Sequence, residues 1–212
     1  YDKMYPRGSC LLRKPDYSGL HITFCDHHEV CQLIYYDNYL WHYGQPFPYG
    51  YGIIALQVSH GMCRKLIVSS VHQFLGQYYP YEKFHVAVIS DHMKPETNDK
   101  LRALPVTLLT PVFEKSSKAK AMQYAMDQIK EDYDYVVILD ADNVVDSDFL
   151  EKLNEVCAKG YKAIQCHRCA KNSNNDIAVL DGVSEEINNT IFRKAHNRIG
   201  LSSALIGSGM CF

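Results

Sequence analysis

From residue 52 onward the apolar positions fall into two alternating periods. Ile53-Ile-Ala-Leu-Gln-Val58 is a short run of strand type, and Leu66, Ile67, Val71, Phe74 and Leu75 then recur at helical steps. Phe84-His-Val-Ala-Val-Ile89 predicts a second strand that closes on Ser90-Asp91. A short helix around 96–104 and a strand at 106–109 follow. Ala119, Met122, Ala125, Met126 and Ile129 mark one apolar helix face. Tyr135-Val-Val-Ile-Leu139 is the most strand-like run in the chain, and it ends in Asp140-Ala-Asp142. Phe149, Leu150, Leu153 and Val156 predict a helix behind it, with Asp146, Ser147 or Asp148 available as its cap. A strand at 162–165 comes next. Ile177, Leu180, Val183, Ile187, Ile191 and Ala195 then mark a long amphipathic helix, and Ala204–Ile206 a last strand. Strands alternating with helices imply an α/β fold, a mostly parallel sheet with helices on both faces.

Residues 1–51 differ. They hold nine of the sixteen Tyr, the one Trp, four of the ten His and half of the eight Pro, and neither period persists there. Residues 43–52, with Pro46, Pro48 and three glycines, have the composition of an irregular linker. The chain thus divides into a Tyr/His/Pro-rich front at 1–51 and a domain at 52–212. The front is either an arm wrapped on that domain or a segment not naturally joined to it.

Composition narrows the function classes. Twenty-two basic and 24 acidic residues give a formal charge of −2, which argues against a protein living on phosphate-backbone contacts, so nucleic acid is not an expected partner. No apolar run approaches the roughly 18–20 residues needed to cross a bilayer, and no secretory signal opens the chain. A cytoplasmic setting with reduced thiols is expected for the eight cysteines. Cys25-Asp-His27-His28-Glu-Val-Cys31 and Cys166-His167-Arg-Cys169 carry zinc-type ligands. Neither completes a set of four, so buried thiols beside surface histidines are the simpler reading.

In such sheets ligands collect at the carboxyl ends of strands. Asp140 and Asp142 follow the most apolar strand, and alternate residues of an extended segment point the same way. Two adjacent carboxylates repel unless a cation lies between them, which suggests Mg2+ or Mn2+ carrying a phosphate ligand. Asp91 closes the earlier strand in the same fashion, although a turn former would also stand there. Lys118 opens a helix, where a lysine and the helix N-terminus suit an anion, or where it is simply solvated. Gly207-Ser208-Gly209 allows close backbone approach to a ligand, or forms a plain turn.

The order of these pieces resembles the family 2 glycosyltransferases, inverting nucleotide-sugar enzymes with a Rossmann-like GT-A fold. Val136 to Leu150 looks like their DxD segment and following helix, and Ser117 to Ala125 like the lysine-containing helix start before it. Val88 to Thr97 resembles the strand-end Asp segment, and Leu205 to Phe212 the small-residue strand before the acceptor site. The resemblance covers residues 52–212. It implies that Asp91 contacts the nucleoside and that Lys118 lies near the nucleotide. By the same resemblance Asp140 faces ribose and diphosphate, and Asp142 ligates the metal. The implied reaction transfers a sugar, from a UDP-sugar first of all, to the hydroxyl of a saccharide or lipid-linked acceptor, as in polysaccharide biosynthesis. Gly207, Ser208 and Gly209 would form the acceptor-side loop.

Two departures stand out. Val58-Ser-His-Gly-Met62 replaces the family's usual first-loop turn. The family's carboxylate base follows the Gly-Ser-Gly strand, so it is expected beyond Phe212, as are any membrane-spanning parts. This chain is then expected to be the front of a longer, membrane-associated enzyme and inactive by itself. Asp181, Glu185 and Glu186 are expected on a solvated helix face. Two other readings compete. In a haloacid-dehalogenase-type phosphohydrolase Asp140 would be the nucleophile and Asp142 the acid/base. A non-catalytic nucleotide-binding module is the other.

Overall fold

The computed structural model describes residues 20–25, 31–36, 51–60, 66–170 and 175–212; the linker at 43–50 and the first-loop residues 61–65 lie outside them. Strands β1 (Leu20–Cys25) and β2 (Cys31–Tyr36) come first, in the stretch where no period was legible. Then follow β3 (Ile53–His60), α1 (Ile67–Phe74), β4 (Phe84–Asp91), α2 (Pro95–Arg102) and β5 (Thr107–Leu109). The middle of the chain forms α3 (Lys118–Gln128), β6 (Tyr135–Asp140), β7 (Asn143–Val145) and α4 (Phe149–Cys157). Last come β8 (Ile164–Gln165), β9 (Arg168–Ala170), α5 (Asp176–Ile187), a wider π-helical stretch Asn188–Ala195, α6 (His196–Arg198) and β10 (Met210–Cys211).

The main sheet has the order β5-β4-β3-β6-β10-β8. Strands β5, β4, β3 and β6 are mutually parallel, and β10 runs antiparallel between β6 and β8. The central strand β3 is buried on both faces, which is why its apolar run is nearly continuous. On one face Ile53, Ala55, Val86, Val88, Val137 and Leu139 meet α1, α2 and α4 through Ile67, Val71, Phe74, Leu101, Phe149 and Leu150. On the other, Ile54, Leu56, Val58, Ala87 and Ile89 meet α3 through Ala121 and Ala125. Helices cover both faces, as expected of the fold class.

A second sheet, β2-β9-β1-β7, joins the front of the chain to the main domain. Its register sets Cys169 opposite Thr23 and Leu33, and pairs Cys25 with Cys31. The two cysteine-bearing stretches, far apart in sequence, therefore share one sheet.

Three expectations are corrected. Ala204–Ile206 is not a strand; the last strand is Met210–Cys211, whose residues are buried between β6 and β8 while Leu205 is exposed. Asp148 holds the N-cap position of α4 without capping it, because its carboxylate pairs with Lys152 at 2.8 Å. Gln77 does the capping, accepting from the Leu150 N–H at 3.0 Å and donating to the Asp146 carbonyl at 2.7 Å. Finally, the apolar stripe of α5 faces outward: Ile177 and Leu180 are 71% and 69% exposed, while Ala178, Glu185 and Asn189 are buried. Glu185 is thus not on a solvated face, in contrast to Asp181 and Glu186, which are exposed.

Candidate functional site

The chain leaves β3 toward β4 on one side, whereas β6 lies on the other. The strand order therefore reverses at β3, and the crevice of a doubly wound sheet opens at the carboxyl ends of these strands. Asp91 ends β4 and Asp140 ends β6, so both strand-end aspartates fall at that crevice.

The lysine is what gathers the predicted residues. Ser117 caps α3, its hydroxyl accepting from the Lys120 N–H at 3.2 Å, and this fixes Lys118 in the first turn. From there the Lys118 Nζ donates to the Asp140 carboxylate and to the Gly207 carbonyl. The ion pair offsets the charge that two neighbouring aspartates would otherwise concentrate. Ser208 then secures the strand end: its hydroxyl accepts from the Asp140 N–H at 3.0 Å and from the Asn143 amide at 2.7 Å. From the opposite side the Ser70 hydroxyl, on α1, donates to the Ala141 carbonyl at 2.6 Å. The Asp140-Ala-Asp142 turn is thus held by α1, α3 and the Gly207–Gly209 loop together.

Gly207 and Gly209 have φ of 86° and 64°, a region that disfavours side chains. A Cβ on Gly207 would meet no atom within 4 Å. The glycine serves the backbone conformation and leaves open space beside the lysine.

Asp91 is 1% exposed and its Oδ1 lies 2.5 Å from His92 Nδ1. His92 has a φ of 56°, left-handed backbone that costs a non-glycine residue roughly 1–2 kcal/mol. The same ring nitrogen is 3.4 Å from the Ser116 hydroxyl, two residues before Lys118. Asp91 and Asp140 are therefore tied to the two sides of one helix N-terminus. Asp142 follows in the turn, partly exposed.

Sequence reasoning missed Gln165, Asn143, His92 and Ser70. Gln165 clasps the glycine loop, donating to the Ser208 and Gly209 carbonyls at 3.0 and 3.1 Å and accepting from the Ile206 N–H at 2.9 Å. Only Asn143 carried a signal, by its place directly after Asp142.

The donor chemistry fits a hard divalent cation. Asp140 and Asp142 offer carboxylate oxygens alone, and Mg2+ in phosphate sites commonly takes one or two carboxylates with the rest from water and phosphate. The Asp140 carboxylate is at the same time engaged by the Lys118 ammonium.

The sequence pattern of glycosyl transferase family 2 matches residues 60–212, well over half of the chain. The chain belongs to that family. Among solved structures it is similar to the mannosyltransferase PcManGT from Pyrobaculum calidifontis in complex with GDP-Man and Mn2+, at 20% identity and a TM-score of 0.49, over 66% of this chain and 41% of that one. It is also similar to S. aureus TarS 1-349, at 17% identity and a TM-score of 0.45, over 53% of this chain and 34% of that one. The same TarS fragment is known in complex with UDP-GlcNAc. The chain thus spans about two fifths or less of these relatives' length. No curated protein matches it in sequence. The family match disfavours the phosphohydrolase reading. No helix among the described residues is long and apolar enough to cross a membrane.

Proposed function

We propose that this chain binds the donor of an inverting glycosyltransferase, which moves a sugar from a nucleotide-sugar, a UDP-sugar first of all, to an acceptor hydroxyl. The observation that carries this reading is the lysine bridge from α3 to the Asp140 carboxylate and the Gly207 carbonyl. It sets a cation, a helix N-terminus and a glycine turn around one crevice, which suits a diphosphate.

Each residue then has a task. Asp91, buried and paired with His92, accepts hydrogen bonds from the nucleoside. Lys118 stands at the diphosphate, and a phosphate oxygen competes with Asp140 for its ammonium. Asp140, released in part, turns to the ribose and the metal side. Asp142 with Asp140 holds Mg2+ or Mn2+, which supplies Lewis-acid neutralisation of the departing nucleoside diphosphate. The glycine loop gives the acceptor close access to the anomeric carbon. The carboxylate base that takes the acceptor proton is not assigned to any residue of this chain. The acceptor is a saccharide or lipid-linked sugar, and the reaction belongs on the cytoplasmic side of a membrane, where the donors are held.

Calorimetry with UDP, with and without Mn2+, tests this. Binding should require the metal and weaken by about 2–3 kcal/mol in Lys118→Ala, the scale of a lost charge-assisted hydrogen bond. Asp142→Ala should remove the metal-dependent binding. UDP binding that ignores both substitutions in folded protein would sink the reading.

A further inference from the structure

We propose that His167, Cys169 and Glu186 form a second metal site, suited to Zn2+ and distinct from the carboxylates at the end of β6. The His nitrogens, the Cys sulfur and the Glu oxygens provide one ligand atom each within 4.8 Å of one another. His167 Nε2 and Glu186 Oε2 are already 2.8 Å apart, so both polar tips point into one space. Tetrahedral zinc with bonds of about 2.0–2.3 Å needs ligand atoms about 3.3–3.8 Å apart. Reaching that from the observed arrangement takes side-chain adjustments of about an ångström.

The scaffold holds the three donors in register. His167 and Cys169 alternate along an extended segment at β9, and residues two apart share a face. Glu186 comes from α5, which is fastened to that segment by its neighbours. Glu185 lies 3.7 Å from the Arg168 guanidinium, and the Asn189 amide donates to the Arg168 carbonyl at 2.5 Å. Pairing Arg168 with Glu185 leaves the adjacent His167 and Glu186 opposite each other. Cys166 takes no part, being fully buried on the core side.

The donor chemistry separates the two sites. Asp140 and Asp142 are hard oxygen ligands, whereas imidazole, thiolate and carboxylate together suit borderline Zn2+. On binding, the Cys169 thiol gives its proton to solvent, and the His167 Nε2 proton passes to Nδ1 through solvent so that Nε2 offers its lone pair. The His167–Glu186 hydrogen bond is exchanged for two metal bonds, with water in the fourth position. The ion would pin α5 to β9.

The proposal does not rest on the donor reading, and one experiment keeps them apart. The chelator-treated full chain is titrated with Co2+ and followed by thiolate-to-cobalt charge-transfer absorption. The expected result is a band saturating at one equivalent and lost on adding Zn2+. Cys169→Ser should abolish it, and His167→Ala and Glu186→Gln should weaken the Co2+ affinity read from the band at least about tenfold, while Asp142→Asn leaves the thiolate band unchanged. Glu186 is exposed on its helix, so Glu186→Gln should fold normally, with circular dichroism as the check. A folded wild-type chain without the band would overturn the site, as would a band that survives Cys169→Ser or a Glu186→Gln affinity equal to wild type.

Discussion

The β3–β6 core and the α5 segment bury opposite kinds of side chain. Around β3 the inward positions are mostly Ile, Leu, Val, Ala and Phe, with Gln57 and Ser59 as polar exceptions on the strand itself, and helices on both faces seal them. Along α5 and the π-helical stretch after it the inward positions are Ala178, Glu185 and Asn189, while Ile177, Leu180, Val183, Ile187 and Ile191 point outward. The first region is held by removal of apolar surface from water, at roughly 25 cal/mol per Å2. The second is held by a polar network: Glu185 accepts from Arg193 at 3.1 Å and lies 3.7 Å from Arg168, and Arg193 also donates to Asn189. One chain thus uses two different glues. Stability depends on area in one region and on partner completeness in the other.

The largest expected effect tests the first glue. Phe149 is fully buried, with ring centroid 6.2 Å from Phe74. Phe149→Ala should cost about 3–5 kcal/mol in denaturant unfolding. Leu180→Ala, equally apolar but outward, should stay within about 0.5 kcal/mol. A loss at Leu180 approaching that at Phe149 would erase the contrast, since it would mean that the outward stripe is covered in solution.

Next comes the second glue. Glu185→Ala leaves the Arg193 guanidinium, whose side chain is only 14% exposed, without its carboxylate. A loss of about 3 kcal/mol is expected, as for breaking a buried pair. Glu185→Gln keeps a hydrogen-bond acceptor and should lose less. Equal losses in the two variants would show that packing, not charge, holds α5.

These two regions also explain what was legible beforehand. β3, β4 and β6 were read from their apolar runs because burial on both faces leaves a continuous signal, and Asp91 and Asp140 followed as strand ends. Lys118 was read as opening a helix, and it is the first residue of α3, behind the Ser117 cap. On α5 the period was correct but its direction was not. A hydrophobic stripe fixes a helix's periodicity, and only its neighbours decide which side is inward; here Arg168, supplied by β9, draws Glu185 in. β7 and β9 are three residues each, too short to show any period. Gln165 was invisible for a related reason: its partners are backbone groups at 206–209, which carry no sequence signal.

The smallest effect sharpens the comparison at its boundary, where the polar network meets solvent. The hydrogen bond from His167 holds the Glu186 carboxyl below its ordinary value, partly opposed by desolvation. A carboxyl whose folded value is depressed binds protons less readily in the folded state. Its contribution to stability is therefore complete above the ordinary glutamate range and declines as the pH falls through that range toward the lowered value. In chelator-treated protein, the wild-type chain should lose slightly more stability on acidification than Glu186→Gln. The difference should stay below about 1 kcal/mol, because the carboxylate is half exposed and solvent screens it. Denaturant midpoints measured at neutral pH and near pH 4 read it directly. A difference as large as the Glu185 effect would place Glu186 inside the buried network, whereas parallel pH profiles would confine that network to Glu185 and its two arginines.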